Sequence, residues 1–349
     1  MRSTYSEEDV TILLKDISGM VEPLGTKERE VLIQSGIHYC EMLPLEYKPS
    51  EKYIEIYNKS LSVFAQSTAD AVARVAEDIY KKKGQKVALI SLARAGTSIG
   101  VLIKRYLRNK YNIEIAHYSI SIIRDKGIDR NAMNYILDRH SGMDLQFVDG
   151  WVGKGAIFNE LVKDLKDFSN VDTSLAVLAD PARITALCGT HDDILIPSSC
   201  LNSTISGLIS RTFLRKDIIG ERDFHGAAFY SELSSEDRTY EFIRTIEKCF
   251  NYSLADIEHI IDNSGIVEVE RLKKLYHINN VNLIKPGIGE TTRVLLRRVP
   301  WKVLIADDYK NSIEVEHIIQ LAKEKDVDIE YCHLSNYKCC GIIKELADA

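Results

Sequence analysis

Phe147-Val148-Asp149-Gly150-Trp151-Val152-Gly153-Lys154-Gly155-Ala156-Ile157 is the stretch on which the reading of the chain turns. Leu145, Phe147 and Val148 end an apolar run of the kind a buried strand makes. An acid, Asp149, closes that run, and Gly150, Gly153 and Gly155 space the loop behind it. Residues 159–168 then have helix-forming character. Glycines let backbone N–H groups come close to an anion, and a helix N-terminus favours negative charge. An acid at the carboxyl end of a strand lies where open α/β sheets take their ligands. From the residues alone, the loop reads equally as a phosphate site or as a glycine-rich turn that holds nothing.

About fifty residues earlier stands a second unit of the same kind. Residues 87–90 read as a short buried strand, Arg94-Ala95-Gly96-Thr97 as a small-residue loop with one cation, and 99–111 as a helix. Gly96 permits close approach, and Arg94 offers a charge-assisted bond to a phosphate or an ordinary surface charge. Ahead of it, apolar residues at helical spacing over 51–83, ending in three lysines and Gly84, predict a long amphipathic helix. Residues 1–50 read as an N-terminal cap. A strand over 113–123, a charged turn with Arg124 and Lys126, and a helix over 131–139 lead to the strand ending at Asp149. Residues 174–178 predict another core strand, followed by Asp180 and Arg183. A strand is expected over 191–197, a hydroxyl-dense stretch over 198–212 and a helix over 236–262.

The pattern restarts past 263. Strands are expected over 281–284, 301–305 and 327–334, with helices over 290–298, 313–325 and 337–347. The expectation is an α/β fold: a parallel sheet flanked by helices in residues 1–262, and a small α/β sandwich in 263–349. Lys285, Arg293, Arg297, Arg298 and Lys302 stand against Glu290 alone at the start of the second part. Such a cluster suits a polyanion, or a solvated helix face.

Composition narrows the class. The 349 residues carry a formal net charge of −6, which argues against nucleic-acid binding over the whole surface. Seven scattered cysteines do not make a secreted disulfide framework, so a reducing cytoplasm is expected. Cys339 and Cys340 are adjacent and lack the gap of a zinc knuckle. No window has the length of a membrane span, and there is no signal-peptide pattern.

The stretch 147–157 resembles the phosphoribosyl-diphosphate (PRPP) loop of type I phosphoribosyltransferases. Asp149 matches the first acid of that loop and Gly155 its cradle glycine. Gly150 stands where a second acid is usual, and Gly153-Lys154 where two threonines are common. The resemblance implies that PRPP is held by Asp149, Gly150, Trp151, Val152, Gly153, Lys154, Gly155 and Ala156. It puts the diphosphate at Arg94, Ala95, Gly96 and Thr97. It further implies Mg²⁺ near Asp149, Arg124 and Lys126 on a loop closing over the leaving group, and Asp180 and Arg183 at a base pocket. Residues 285–293 resemble Pelota-type RNA-binding domains, with Gly287, Glu290 and Arg293 in the Gly-x-x-Glu-x-x-basic pattern. That resemblance implies RNA contacts at Lys285, Glu290, Arg293 and Arg297.

Over nearly its whole length the chain resembles the phosphoribosyltransferases encoded with tellurite-resistance stress operons. Some related sequences carry a cysteine-protease label. The resemblance implies a phosphoribosyltransferase that uses Mg-PRPP to make or cleave a ribonucleotide or ribonucleoside in a bacterial stress response. Its partners would be PRPP, an unknown base or nucleoside and RNA, with a homodimer left open. Two alternatives stand beside it. One is a cysteine hydrolase with Cys200 as nucleophile and His191 or His225 as base. The other is a non-catalytic nucleotide- or RNA-binding regulator.

Overall fold

The computed structural model describes residues 1–254 and 257–345. Two short strands, β1 (Thr11–Ile12) and β2 (Lys15–Asp16), precede helix α1 (Thr26–Gln34). Helix α2 (Glu51–Lys83) follows; Ser50 caps it by accepting the Tyr53 N–H, and Gly84 ends it with φ at 62°. Strands and helices then alternate: β3 (Val87–Leu92), α3 (Ala95–Tyr111) and β4 (Ala116–Ile120). A hairpin of β5 (Ile122–Ile123) and β6 (Gly127–Ile128) leads to α4 (Arg130–Arg139), β7 (Asp144–Val148) and α5 (Ala156–Leu165). Next come β8 (Leu175–Ala179) and β9 (Leu187–Thr190). A largely irregular stretch holds β10 (Gly226–Ala227), and α6 (Thr239–Glu247) follows it. The remainder is α7 (Ser264–Leu275), β11 (Ile284–Pro286), α8 (Ile288–Arg297), β12 (Pro300–Ala306), α9 (Glu316–Glu324), β13 (Asp328–Cys332) and β14 (Cys339–Ile343).

The main sheet has the order β1-β4-β3-β7-β8-β9, and every neighbouring pair is parallel. Its central strands are buried on both faces, which is why Val87-Ala88-Leu89-Ile90 and Leu175-Ala176-Val177-Leu178 are unbroken apolar runs. Successive side chains of a strand point to opposite faces. Val87 and Leu89 accordingly pack with α2, α3 and α6, while Ala88, Ile90 and Leu92 pack with α4 and α5. The second sheet has the order β11-β14-β12-β13. The fold is therefore α/β, as the sequence led us to expect.

Several elements differ from expectation. Residues 1–50 do more than cap, because β1 pairs with β4 as an edge strand of the main sheet. No strand forms over 191–197: the sheet's edge strand is β9, just before it, and Asp193 turns inward to bond the second part. The helix expected over 236–262 is confined among the described residues to α6. The largest reversal is at 337–347, where an interior strand, β14, stands in place of a helix. Cys339 to Ile343 are all buried between β11 and β12, and five apolar residues covered on both sides suit a strand better than an amphipathic helix. Residues 346 and 347 of that expected helix lie outside the described residues.

The two sheets share a core. Leu195, Ile196 and Cys200 pack in one apolar cluster with Ile288 and Leu295 of α8, Ile318 of α9 and the inner face of α2. At this junction Asp193 is buried. Its Oδ1 accepts from Ile288 N–H at 3.0 Å, and its Oδ2 accepts from Lys338 N–H at 2.9 Å. Burial pushes this carboxyl up to about 6. Asp193→Ala would leave two buried N–H donors unpaired, each costing about 1–3 kcal/mol. The expected outcome is a loss of roughly 3 kcal/mol in a urea melt followed by far-UV circular dichroism, with Asp193→Asn losing clearly less. Equal stability of Asp193→Ala and wild type would refute this role.

Candidate functional site

The β-strand ends come together as a doubly wound sheet requires. β3 lies between β4 and β7, so the chain switches direction at β3, and the carboxyl ends there are the expected ligand crevice. Asp149 and the loop 94–97 do meet at this place. A Cβ on Gly96 would lie 2.5 Å from Val148 O, so only glycine lets α3 start this close to β7. Thr97 is committed inward, with its Oγ1 2.7 Å from Ser119 Oγ. Asp149 Oδ1 accepts from Gly150 N–H at 2.8 Å, and burial pushes the carboxyl up to about 6.

The loop from Gly150 to Ala156, however, faces protein. Val152 is buried, and its N–H donates to Ala179 O at 2.9 Å. Gly153 O accepts from Tyr337 Oη at 2.7 Å. Lys154 Nζ donates to the carbonyl oxygens of Val281 and Ile284, and burial drives its amine down to about 7. Trp151 lies under Arg293, whose Cζ is 4.4 Å from the ring centroid. A Cβ on Gly289 would strike the same indole at 2.6 Å. Gly155 takes φ of +78° as the residue before α5, and Ala156 begins that helix. Gly153 thus admits the C-terminal part, since a Cβ there would lie 3.3 Å from the Glu290 side chain and 3.5 Å from Pro286 O.

Arg124 and Lys126 sit in the tight β5–β6 hairpin, not on a long closing loop. Arg124 bonds Asp125 and Asn282, and Lys126 is exposed. Asp180 and Arg183 follow β8, where Asp180 Oδ2 accepts from Ile184 and Thr185 N–H at 2.8 Å each. Arg183 takes φ of +56°, and its carbonyl accepts from Asn263 N–H. Magnesium is commonly held by one or two carboxylates together with substrate phosphates. Asp149 would offer one such carboxylate and belongs to no group of three ligating side chains among the described residues, and no step is derived through the metal.

Between the first part and α8 lies a cavity of about 540 Å³. Arg29, Arg94, Arg211, Arg293, Arg297 and Arg298 line it with Lys285, against Glu46 and Glu290. Some of these charges are matched. Arg94 bonds Glu46 at 3.1 Å and Ile209 O at 2.6 Å, and Arg298 grips Glu30 at 2.6 and 2.9 Å. Others are not: Arg29 Nε, Arg211 Nη1 and Arg297 Nε are buried without partners. Burial, with Arg29 nearby, pushes Arg211 down to about 9, and burial drives Arg297 well below its ordinary value. Lys285, Glu290, Arg293 and Arg297, the residues expected to contact RNA, all face this cavity.

Cys200 also lines the cavity, but no imidazole attends it. Its Sγ is 3.7 Å from Ser60 Oγ, and burial raises the thiol to about 11. His225, one of its two expected bases, bonds Ser121 Oγ at 2.8 Å. His191, the other, stands beside a different thiol, Cys188. Cys188 Sγ is 3.7 Å from both ring nitrogens of His191 and 3.6 Å from His259 Nδ1. His259 Nε2 is in turn 3.0 Å from Asp78 Oδ2. The line from thiol to imidazole to carboxylate joins β9, the segment before α7, and α2. Burial, with Asp180 and Asp78 nearby, pushes the Cys188 thiol up to about 12. Cys40 has an imidazole too, His38 Nδ1 at 2.9 Å, but His38 Nε2 is buried with no acid behind it. Sequence reading missed Cys188, His259 and Asp78. The spacing Cys188-x-x-His191 was the one local signal, since His259 and Asp78 arrive only through the fold.

Fold and cluster together define a two-part α/β protein with a thiol set against an imidazole and a carboxylate. The chain belongs to the family described as tellurite-like stress resistance cysteine protease StiP, whose model matches residues 3–247. A PELOTA RNA binding domain model matches residues 263–345. A relative from Acinetobacter baylyi, "Cysteine protease StiP", is 34% identical, covering 98% of this chain and 94% of its own length. Among solved structures, a hypoxanthine-guanine phosphoribosyltransferase from Bacillus anthracis is 15% identical with a TM-score of 0.28, over 36% of this chain and 77% of that one. The Leishmania tarentolae enzyme in complex with GMP is 11% identical with a TM-score of 0.29, over 38% of this chain and 78% of its own.

These findings overturn the expectation of a phosphoribosyltransferase using Mg-PRPP. The family and the relative that match most of the chain are named for a cysteine protease, while the transferase likeness is partial and slight. The plugged loop 150–156 gives the physical side of that correction. No helix among the described residues is long and apolar enough to cross a membrane.

Arg211 yields a test of the cavity's charge balance. Its folded-state value lies below its unfolded one, so the penalty is present in full below about pH 9 and relieved above it. A buried charge with no partner keeps a desolvation penalty of several kcal/mol, which an apolar chain of similar size removes. Arg211→Met should therefore raise the melting temperature at pH 7 in low salt. Added sulfate should stabilise the wild type more than the variant, and a variant that melts lower in both conditions would refute the argument.

Proposed function

We propose that this chain is a cysteine-dependent hydrolase of amide bonds, with Cys188 as nucleophile, His259 as base and Asp78 orienting the imidazole. The observation that supports this most is the contact sequence from Cys188 Sγ to His259 Nδ1 at 3.6 Å and from His259 Nε2 to Asp78 Oδ2 at 3.0 Å. A thiol raised to about 12 is protonated at neutral pH. Its proton must leave as sulfur attacks, and Nδ1 is placed to receive it. Asp78 then faces the imidazolium across Nε2 and favours its charge. The S–C bond forms as the carbonyl π bond opens, and the proton passes from Nδ1 to the departing amine as the C–N bond breaks. Water, deprotonated by the same imidazole, releases the acyl group and restores the thiol. Cys188 is fully buried against His259, so hydrolysis at this sulfur requires its cover to move aside.

Cys188→Ala should abolish hydrolysis of a casein or fluorogenic peptide substrate. His259→Ala should lower kcat by about 10²–10⁴-fold, the usual scale for a positioned base. Cys200→Ala should retain activity. Full activity in Cys188→Ala would end this assignment, and loss only in Cys200→Ala would move the nucleophile to the cavity.

In the same proposal, residues 1–262 carry the thiol chemistry and residues 263–349 meet RNA. The partnerless Nη1 of Arg211 and Nε of Arg297 support a phosphate entering at the cavity. Binding of a short single-stranded RNA, followed by fluorescence anisotropy, should weaken steeply with salt. Arg297→Ala should reduce both the affinity and the salt slope; unchanged values in that variant would rule the cavity out as the RNA contact.

A further inference from the structure

Cys188, His191 and His259 form the one group of three metal-ligating side chains among the described residues, with ligand atoms all within 4.8 Å of one another. The spacing fits zinc. Zinc binds thiolate at about 2.3 Å and imidazole at about 2.0–2.1 Å in a tetrahedral site, which places sulfur and nitrogen about 3.6 Å apart. The distances here are 3.6 Å to His259 Nδ1 and 3.7 Å to each ring nitrogen of His191.

The surrounding groups fit as well. Asp78 faces His259 Nε2 and so leaves Nδ1 free toward the centre. A carboxylate behind a ligating imidazole fixes its tautomer and raises its basicity. His191 donates from Nδ1 to Asp180 O at 3.1 Å and accepts at Nε2 from Ile260 N–H at 3.1 Å. Nε2 is therefore the nitrogen a cation can take, in exchange for one backbone bond. Asp180 adds negative charge at this point. Its Oδ2 is 3.7 Å from His191 Nδ1, and its Oδ1 is buried with no partner, a costly state for a carboxylate that a nearby cation relieves.

We propose that Cys188, His191 and His259 bind one Zn²⁺, and that the metal silences the thiol centre by occupying its sulfur and its base together. On binding, the Cys188 S–H bond breaks, the Zn–S bond forms and the proton leaves to solvent; nothing is oxidised or reduced. Water completes the fourth position. The ligands come from β9, the turn after it and the segment before α7, so the metal also fastens that segment over the sulfur. The regulatory half of this inference rests on the hydrolase assignment above, whereas the metal site does not.

The test uses the full chain, stripped with chelator, desalted and titrated calorimetrically with ZnCl₂. One Zn²⁺ per chain is expected, with affinity at least tenfold weaker in Cys188→Ser and in His191→Ala, while Cys200→Ser matches wild type. Co²⁺ in place of Zn²⁺ should give a thiolate-to-cobalt absorption band that Cys188→Ser lacks. In the wild-type chain, where no substitution disturbs the fold, Zn²⁺ should also slow alkylation of Cys188, read by peptide mass spectrometry. Zinc binding that is absent, or equal in all variants, overturns the proposal. Cys188-dependent hydrolysis without zinc binding would refute the metal site and leave the hydrolase standing. Zinc binding at Cys188 in a chain without hydrolysis would do the reverse, keeping the site and removing its regulatory role.

Discussion

Asp193 accepts N–H groups from Ile288 and Lys338 inside the protein, and much of the surrounding arrangement follows from that. One carboxylate fixes the first turn of α8 and the approach to β14 together. With α8 held there, Gly289 comes against Trp151, and Glu290 stands over Gly153. The crevice at the carboxyl ends of β3 and β7 is then covered by another part of the same chain, with the arginine-lined cavity left beside Arg94. The backbone N–H of Ile288, a donor that a helix N-terminus could offer an anion, is already satisfied. A carboxylate at the base of α8 therefore decides what the sheet's usual ligand crevice can hold.

Glycine spacing is the feature most open to two readings here. Glycines that let backbone approach a phosphate also let backbone approach protein. At Gly96 the close neighbour is Val148 O, and at Gly153 it is the Glu290 side chain. Lys154, a phosphate ligand by resemblance, instead gives its hydrogen bonds to two carbonyl oxygens. Nothing local distinguishes these cases, because the partner lies about fifty residues away for Gly96 and more than a hundred away for Gly153 and Lys154. The sheet was legible for the opposite reason. Runs such as Val87 to Ile90 and Leu175 to Leu178 announce two-sided burial on their own, and α2 announces itself by spacing, cap and terminal glycine. At β14 the same logic was available but masked. Lys338 before it and Lys344 after it gave the segment the look of a helix with a polar face.

The thiol cluster and the arginine cavity handle burial in contrasting ways. Around Cys188 the carboxylates Asp180 and Asp78 outweigh the one nearby cation, Arg183, and burial holds the thiol in its protonated form. In the cavity the groups are cationic, and burial works against their charge; Arg211 and Arg297 have no carboxylate of their own, unlike Arg94 with Glu46 and Arg298 with Glu30. Cys200 borders the cationic site yet lacks a base, whereas Cys188 has the base and lacks the cavity. A cysteine's position along the sequence could not rank these two. Ranking them takes the imidazoles, and His259 reaches Cys188 because His259 and Ile260 lie against β9 and the turn after it.

β14 lies between β11 and β12 although it follows both along the chain. During synthesis, β11, α8, β12, α9 and β13 leave the ribosome with a strand-wide gap at the middle of their sheet. Until residues 339–343 emerge, β11 and β12 each present an unpaired edge, and the Lys338 N–H that Asp193 requires is not yet available. Closure of the small sheet and docking of the two parts thus become one late event in biogenesis. A nascent chain arrested before this strand would show open, apolar edges to chaperones and proteases.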